Sequence, residues 1–289
     1  MSQSYTNWVA LVLDDSPNRE AEEIVFEFND SKICYRPNSV NLGCCANLDL
    51  AFSPTPMAGG DFACVLEDDN WALPDFLKSN LNNLQLSNLN VLLRNQIIAN
   101  EMDDAKFEFT EKTTRGSIFG EVDSILSPLD IHAGMFFGTG LSNGGIFWKL
   151  KPEINFTVGK QVIYSQMQEY IRSLNIKENV FYAADPLAVF SLPNNGSTNR
   201  EGLTNRQFNR GRQVILEFLI KKYGHLIINR GFEMAASRPN LLNNYKSTLV
   251  YCSPNPFFAW KIKRFIFFLP WLKGLYVRKT IQSPVQVIA

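Results

Sequence analysis

The sequence predicts an α/β fold: a mostly parallel sheet flanked by helices, with a helical appendage at the C-terminal end. Three observations carry this. Apolar runs of strand length alternate with segments of helical period over residues 1–85. Two of those runs stop abruptly in clusters of carboxylates. Residues 206–223 place Val214, Ile215, Phe218, Leu219 and Tyr223 along one side of a strong amphipathic helix.

Residues 8–13, WVALVL, form the first strand and end in Asp14, Asp15, Ser16 and Pro17. Carboxylates and a Ser-Pro turn after an apolar strand mark a sheet edge that faces a ligand crevice. Residues 19–28 carry Ala21, Ile24, Val25 and Phe28 at helical spacing. A short strand over 32–35, a turn over 38–43 and a helix over 44–52 follow. Proline and glycine make 54–60 a loop. Residues 62–66, FACVL, read as a buried strand that ends in Glu67, Asp68, Asp69 and Asn70. Residues 71–74 are a turn, Asp75 stands at a helix cap, and 76–84 is the third helix. Next come a strand over 89–99 and a polar surface segment or mobile loop over 102–115. Glycine and aromatic residues crowd 134–149. A helix over 160–174 has Ile163, Met167, Tyr170, Ile171 and Leu174 on one face, and a short strand follows within 178–190. Residues 194–205 form a polar linker.

Composition narrows the function classes. The chain has 289 residues with 28 Lys+Arg and 28 Asp+Glu, and a formal net charge of zero argues against a whole-protein nucleic-acid footprint. Cys34, Cys44, Cys45, Cys64 and Cys252 are odd in number and irregular in spacing, and only two histidines are present. They read as reduced thiols of a cytoplasmic protein, with no Cys/His metal cage. The opening residues lack the charged and apolar regions of a signal peptide. No G-x-G-x-x-G opens a helix, which argues against a dehydrogenase. Residues 257–277, FFAWKIKRFIFFLPWLKGLYV, interleave Lys261, Lys263, Arg264 and Lys273 with aromatics and contain Pro270. Charge and proline argue against a span. Two readings stay open: a C-terminal hairpin packed on the domain, or a peripheral contact with the inner face of a membrane.

Carboxylates side by side repel one another, and burial penalises each charge. A divalent cation relieves both effects and neutralises a diphosphate; oxygen ligands suit Mg²⁺ or Mn²⁺. The alternative is a pair of solvated loop caps.

Three motifs then resemble one family in order and spacing. Gln3-Ser4-Tyr5-Thr6-Asn7-Trp8 followed by VALVLDDSP is similar to the Q-[ST]-Y-x-N-W run and D-D-x-S of the family 2 glycosyltransferases. Asn41-Leu42-Gly43 with Asn47 resembles their N-x-G and downstream Asn. GDFACVLEDDNWALPDFL, from Gly60 to Leu77, resembles their strand, D-x-D metal motif and following helix start. The resemblance covers residues 3–85, and more loosely 130–190.

It implies a GT-A, Rossmann-like fold and an inverting, metal-dependent transfer of sugar from a nucleoside-diphosphate sugar to a hydroxyl. UDP is the first expectation for the nucleotide. The acceptor would be a saccharide or lipid-linked sugar, as in polysaccharide or glycolipid synthesis. Residues 1–192 would form the glycosyltransferase domain, with a nucleotide-sugar part over 1–100 and an acceptor part over 101–192. Residues 193–289 would be a helical extension. The resemblance puts Asp14, Asp15, Asn41, Gly43 and Asp68 at the nucleotide, with Asp15 at the base and Asp68 at the ribose. It puts Asp69 and Glu67 at the Mn²⁺ or Mg²⁺ ion, Glu67 standing where the family has the first Asp of D-x-D.

The family's catalytic acid falls near Gln166, where this chain departs from the pattern. Glu169 lies on the same helical face and is the candidate base, with Asp123 and Asp130 as further candidates. Residues 138–148 would line the donor sugar, their glycines letting a ligand approach the backbone. Trp71 or Trp148 would stack on a sugar or sit in the core. Arg115 would meet a phosphate or stay solvated.

The resemblance also implies a gap. The family's first strand, with P-x-[YF]-N, precedes the Q-x-Y-x-N-W run and lies between the strands that here are 9–13 and 62–66. A late start codon, a truncated gene, or direct pairing of those two strands would each account for this. The intact motifs favour the first. Two other functions stay open: a non-catalytic, decayed paralogue, and a nucleotidyltransferase of related fold.

Overall fold

The computed structural model describes residues 3–54, 58–102, 106–138, 142–159, 167–192, 205–236 and 238–252. The linker over 194–204, the first turns of the helix expected over 160–174, Gln166 included, and the basic aromatic tail over 257–277 lie outside the described residues.

The strands are β1 (Ala10–Asp14), β2 (Ile33–Pro37), β3 (Phe62–Cys64), β4 (Trp71–Ala72), β5 (Val91–Glu101), β6 (Phe107–Thr113), β7 (Ser124–Leu126), β8 (Ile146–Lys149) and β9 (Val180–Leu192). The helices are α1 (Glu22–Phe28), α2 (Cys44–Ala51), α3 (Phe76–Ser87), α4 (Gly116–Phe119), α5 (Pro128–Phe137), α6 (Gln168–Leu174), α7 (Asn205–Tyr223), α8 (Leu226–Ala236) and α9 (Pro239–Cys252).

β1 and β2 pair in parallel around the α1 crossover and form a two-stranded sheet of their own. A seven-stranded sheet holds the rest in the order β3-β8-β5-β9-β4, with β6 beside β5 and β7 beside β9. Within it only β5 and β9 run parallel; the other pairings are antiparallel. The sheet is therefore mixed, not mostly parallel. The reversed strands are β4, β6, β7 and β8, none of them expected as a strand. Residues 71–72 read as a turn and 107–113 as a polar loop, while β8 comes from the glycine-rich aromatic stretch and lies between β3 and β5 in the sheet. Antiparallel pairing lets one sheet face stay in water. β3 stops at Cys64, two residues short of the expected strand. β1 and β3 sit in different sheets and do not pair directly with one another.

The large sheet is covered on both faces. One core holds Trp148, which stacks on Phe52 at 5.3 Å between centroids and meets Phe156 edge-on. At 1% exposure Trp148 is a core residue, which removes it as a sugar platform. The opposite face packs Phe76 and Leu84 of α3 against Leu92, Phe147 and Ala183. A third core joins α5 and α6 to α7, α8 and α9, so the described C-terminal helices share their interior with the sheet's own helices. By contrast, no residue of α1 is buried, and Ile24, Phe26 and Phe28 are more than half exposed.

α5 is fixed at its start by Pro128 and by a capping box in which Ser127 and Asp130 satisfy each other's backbone N–H groups. The Asp130 carboxylate also pairs with Arg230 at 2.5 Å. Inside α5, His132 links three helices. Its Nε2 donates to the Ser173 carbonyl at 3.0 Å, and its Nδ1 accepts from the Tyr223 hydroxyl at 2.7 Å. That assignment needs the neutral ring. Burial, with Lys222 nearby, pulls the His132 pKa down to about 4.

The consequence for stability has a definite sign. The unfolded chain binds a proton at His132 that the folded chain refuses, so stability is full above the unfolded value of about 6.5 and falls as pH drops towards 4. The loss should reach on the order of 3 kcal/mol near pH 4. Urea unfolding at pH 7.5 and pH 5 should show it, and a His132→Gln chain should lose the part of the pH slope that lies between those values.

Candidate active site

The β1 end is a self-contained turn. Asp14 is 7% exposed and accepts from the Ser16 and Ala21 N–H groups and from the Tyr35 hydroxyl, the last at 2.8 Å. Burial pushes its carboxyl up, but these donors outweigh it and hold the pKa at about 2. Asp15 does the same for the next loop. Its carboxylate accepts from the Leu42 N–H at 2.7 Å, the Gly43 N–H at 2.8 Å and the Asn38 amide at 2.8 Å. Burial again works upward and the hydrogen bonds win, so its pKa is lowered. Asn41 donates to the Asp15 carbonyl, and Asn47 ties Asn38 and the Leu13 carbonyl to α2. Gly43, at φ +78°, opens α2 in a conformation that favours glycine. The structure thus brings Asp15, Asn41 and Gly43 together in one hydrogen-bonded loop. Asp14 braces it from below.

The second acidic turn follows β3 and Val65. Asn70 is 6% exposed and anchors it, accepting from the Ser191 N–H of β9 and donating to Glu67 at 3.3 Å. The other Glu67 oxygen accepts from Asn143 at 3.2 Å. Burial raises the Glu67 pKa, Asn143 opposes this, and Asp69 and Asp68 raise it further. Asp69 is exposed, yet its pKa is also raised, by desolvation first and then by Asp68 and Glu101. Among the described residues no ion pair reaches 67–69.

Glu169, in the first turn of α6, is half-buried. Its neighbour Gln168 donates to Cys44 Sγ at 3.7 Å where α2 begins. Through Gln168 the start of α6 thus meets the start of α2. The cysteines read as mostly buried in the sequence, yet Cys34 and Cys44 are exposed and only Cys252 is buried. Partial desolvation still raises the Cys44 thiol, the Gln168 hydrogen bond opposes it, and the charges of Glu67, Glu169 and Asp68 add to the rise. The other base candidates are committed elsewhere: Asp130 to the α5 cap and Arg230, and Asp123 to the Ala184 N–H at 2.7 Å.

Several residues that join these parts were not singled out in the sequence. Asn143 sits between Glu67 and Arg172, accepting from Arg172 Nε at 3.1 Å. Arg172 is fully buried, pairs with Asp49 at 3.2 Å, donates to the Phe156 carbonyl at 2.6 Å and lies 4.1 Å from the Phe52 ring centroid. Asp49 in turn accepts from the Val158 and Gly159 N–H groups. A polar S-N-G-G run and an arginine on an apolar helix face were the available signals.

Arg115 is not a solvated loop charge. It is 1% exposed and donates to the Arg94 and Ser142 carbonyls and to Gln96. Gly145 is what lets it in, since a Cβ there would lie 2.5 Å from Arg115 Nη1. The close approach that this glycine permits is therefore made by the protein itself.

Among the described residues no three His, Cys, Asp or Glu side chains gather into a metal cage. The acidic turn nonetheless fits a divalent cation in part. It offers hard oxygen ligands, and burial together with mutual repulsion favours protonation of Glu67 and Asp69, which a cation would relieve. Mg²⁺-type ions are commonly held by one or two carboxylates plus substrate phosphates and water.

With this geometry described, comparison with known proteins is informative. A model of the "Glycosyl transferase family 2" matches residues 1–137. No curated protein matches. Two crystal structures of S. aureus TarS share the fold. The one spanning residues 1–349 aligns at a TM-score of 0.54 and 12% identity, covering 87% of this chain and 73% of that one. The other aligns at 0.51 and 12%, covering 88% of this chain, which spans less than half, 45%, of its length. At that identity the likeness speaks for the fold alone. The family match thus covers less than half of the chain, and the two structures show an α/β fold like that of TarS, in the mixed-sheet form described above.

Proposed function

We propose that the chain transfers a sugar from a nucleoside-diphosphate sugar to a hydroxyl acceptor, with inversion and with help from Mn²⁺ or Mg²⁺. The observation that carries this reading is the acidic turn, in which Asn70 and Asn143 hold the half-buried Glu67 next to Asp68 and Asp69, on a chain with a family 2 match over residues 1–137. The loop of Asp15, Asn41 and Gly43 would border the base, with UDP as the first expectation. Asp68, exposed at the turn, would accept from ribose hydroxyls. Asp69 and Glu67 would hold the metal, which supplies positive charge to the leaving diphosphate. Asn70 and Asn143 keep Glu67 oriented for this. Glu169 would take the proton from the acceptor hydroxyl as the new bond forms.

Membrane contact through residues 257–277 belongs to the same proposal only as a source of lipid-linked acceptors. Among the described residues no helix is long and apolar enough to cross a membrane.

The test follows release of free nucleoside diphosphate from UDP-, GDP- and dTDP-sugars, each with Mn²⁺, Mg²⁺ or EDTA. Release from one donor class that EDTA abolishes is expected. Glu169→Gln should lower the rate by roughly 10²–10⁴-fold while nucleotide binding persists. Release that EDTA leaves intact, or none from any donor, contradicts the proposal.

A further inference from the structure

One exposed feature is not used by this reading. Trp71, two residues after Asp69, meets Phe107 at 4.8 Å and Phe109 at 6.0 Å between ring centroids, both edge to face. Phe107 and Phe109 alternate with Glu108 along β6 and stay 40% and 56% exposed. Exposed apolar groups gathered in this way mark a contact surface more often than scattered ones do. The group adjoins the acidic turn along the chain, since Trp71 follows Asp69 by two residues. Phe107 stands opposite Glu101 in the β5–β6 register, so ring and carboxylate share one face of that strand pair.

We infer that Trp71, Phe107 and Phe109 form the acceptor platform, and that it takes an uncharged or amino-bearing saccharide chain. This rests on the glycosyltransferase reading for the word acceptor, but not for the saccharide itself. The chemistry is that of a sugar's two kinds of surface. Aromatic rings cover its apolar C–H faces, as they do in ligand sites generally, and a few polar groups fix its orientation. Glu101 can accept from hydroxyl or ammonium groups at the rim. Its negative charge disfavours a uronate or phosphate-bearing chain. The position beside Asp69 puts a chain end on the platform next to the proposed donor site.

The test uses the full chain and four soluble probes: cellotetraose, chitotetraose, mannotetraose and tetragalacturonate. Binding is followed by ligand-observed NMR, and nucleotide binding by the thermal shift with Mn²⁺ and UDP, GDP or dTDP. At least one neutral or amino-sugar tetramer should bind, and tetragalacturonate should not. Phe107→Ser/Phe109→Ser should weaken that binding by tenfold or more, and Phe109→Trp should restore it relative to Phe109→Ser. The nucleotide shift should be the same in all of these chains. Where turnover is measurable, the acceptor KM should rise with kcat and donor KM unchanged. No binding by any tetramer, a preference for tetragalacturonate, or equal affinity in the double variant overturns the inference. Loss of the nucleotide shift in the unaltered chain counts against the donor reading alone. Saccharide binding that depends on the rings would still stand.

Discussion

Asp69→Asn should lower metal-dependent turnover by roughly 10²–10³-fold, the range seen when one group that stabilises developing charge is removed. The same change should leave the fold intact or slightly firmer. Asp69 is exposed, its pKa is raised by desolvation and by Asp68, and no ion pair among the described residues uses it. Removing its charge takes away repulsion and gives up no ion pair among the described residues, and the asparagine oxygen can still accept from the residue's own N–H. A loss of turnover with an unchanged or higher thermal midpoint is therefore the expected pair of results. Glu67→Gln should differ: Glu67 accepts from both Asn70 and Asn143, so the fold should weaken along with activity. A midpoint that falls in Asp69→Asn would show that its carboxylate holds the turn together and is not held ready for a ligand.

Arg172→Met should cost about 3–5 kcal/mol of stability, because it leaves Asp49 and the Asn143 and Phe156 oxygens without their buried donor. Burial pulls the arginine's own pKa down, and Asp49 opposes that. In a chain of this size the midpoint should drop by about 10 °C. Methionine keeps much of the side-chain volume, so packing against Phe52 is partly preserved and the loss reports the polar network. Urea unfolding of Arg172→Met and Asp49→Asn, singly and together, separates the terms: the double variant should cost less than the two single losses added. A single-variant cost within about 0.5 kcal/mol, the range of ordinary surface changes, would contradict the central position given to Arg172.

How much of this was legible in the sequence depended on the kind of signal. β1, α1, β2, α2, β3 and α3 were readable because each carries its own period and its own punctuation, down to the acids at 14–15 and 67–69. The parallel sheet was not. The sheet's mixed direction comes from β4, β6, β7 and β8: two of these are only two and three residues long, β6 is rich in charge, and the four-residue β8 is hidden in a stretch crowded with glycine. The fate of Arg115 was hidden for a related reason. An arginine in a polar stretch looks solvated, and only the sheet shows that Gly145 admits it to the interior. α8 and α9 fall within the helical extension expected over 193–289, and Ile227, Gly231 and Ala235 lie buried at helical spacing in α8. At the site, the acidic residues were visible as residue types. What holds them was not, because Asn143 and Arg172 bond across 76 and 29 positions of chain.

The most direct test of a donor site at the acidic turn is Mn²⁺ binding followed by electron paramagnetic resonance, with and without UDP, GDP or dTDP. Two carboxylates without a full cage should bind the ion weakly alone and firmly once a diphosphate adds its oxygens. The free Mn²⁺ signal should therefore fall sharply only when protein and one nucleoside diphosphate are both present, beyond what the nucleotide takes up by itself. That extra loss should vanish in Asp69→Asn. A signal that the protein leaves unchanged with every nucleotide, or an uptake that survives Asp69→Asn, would contradict the account.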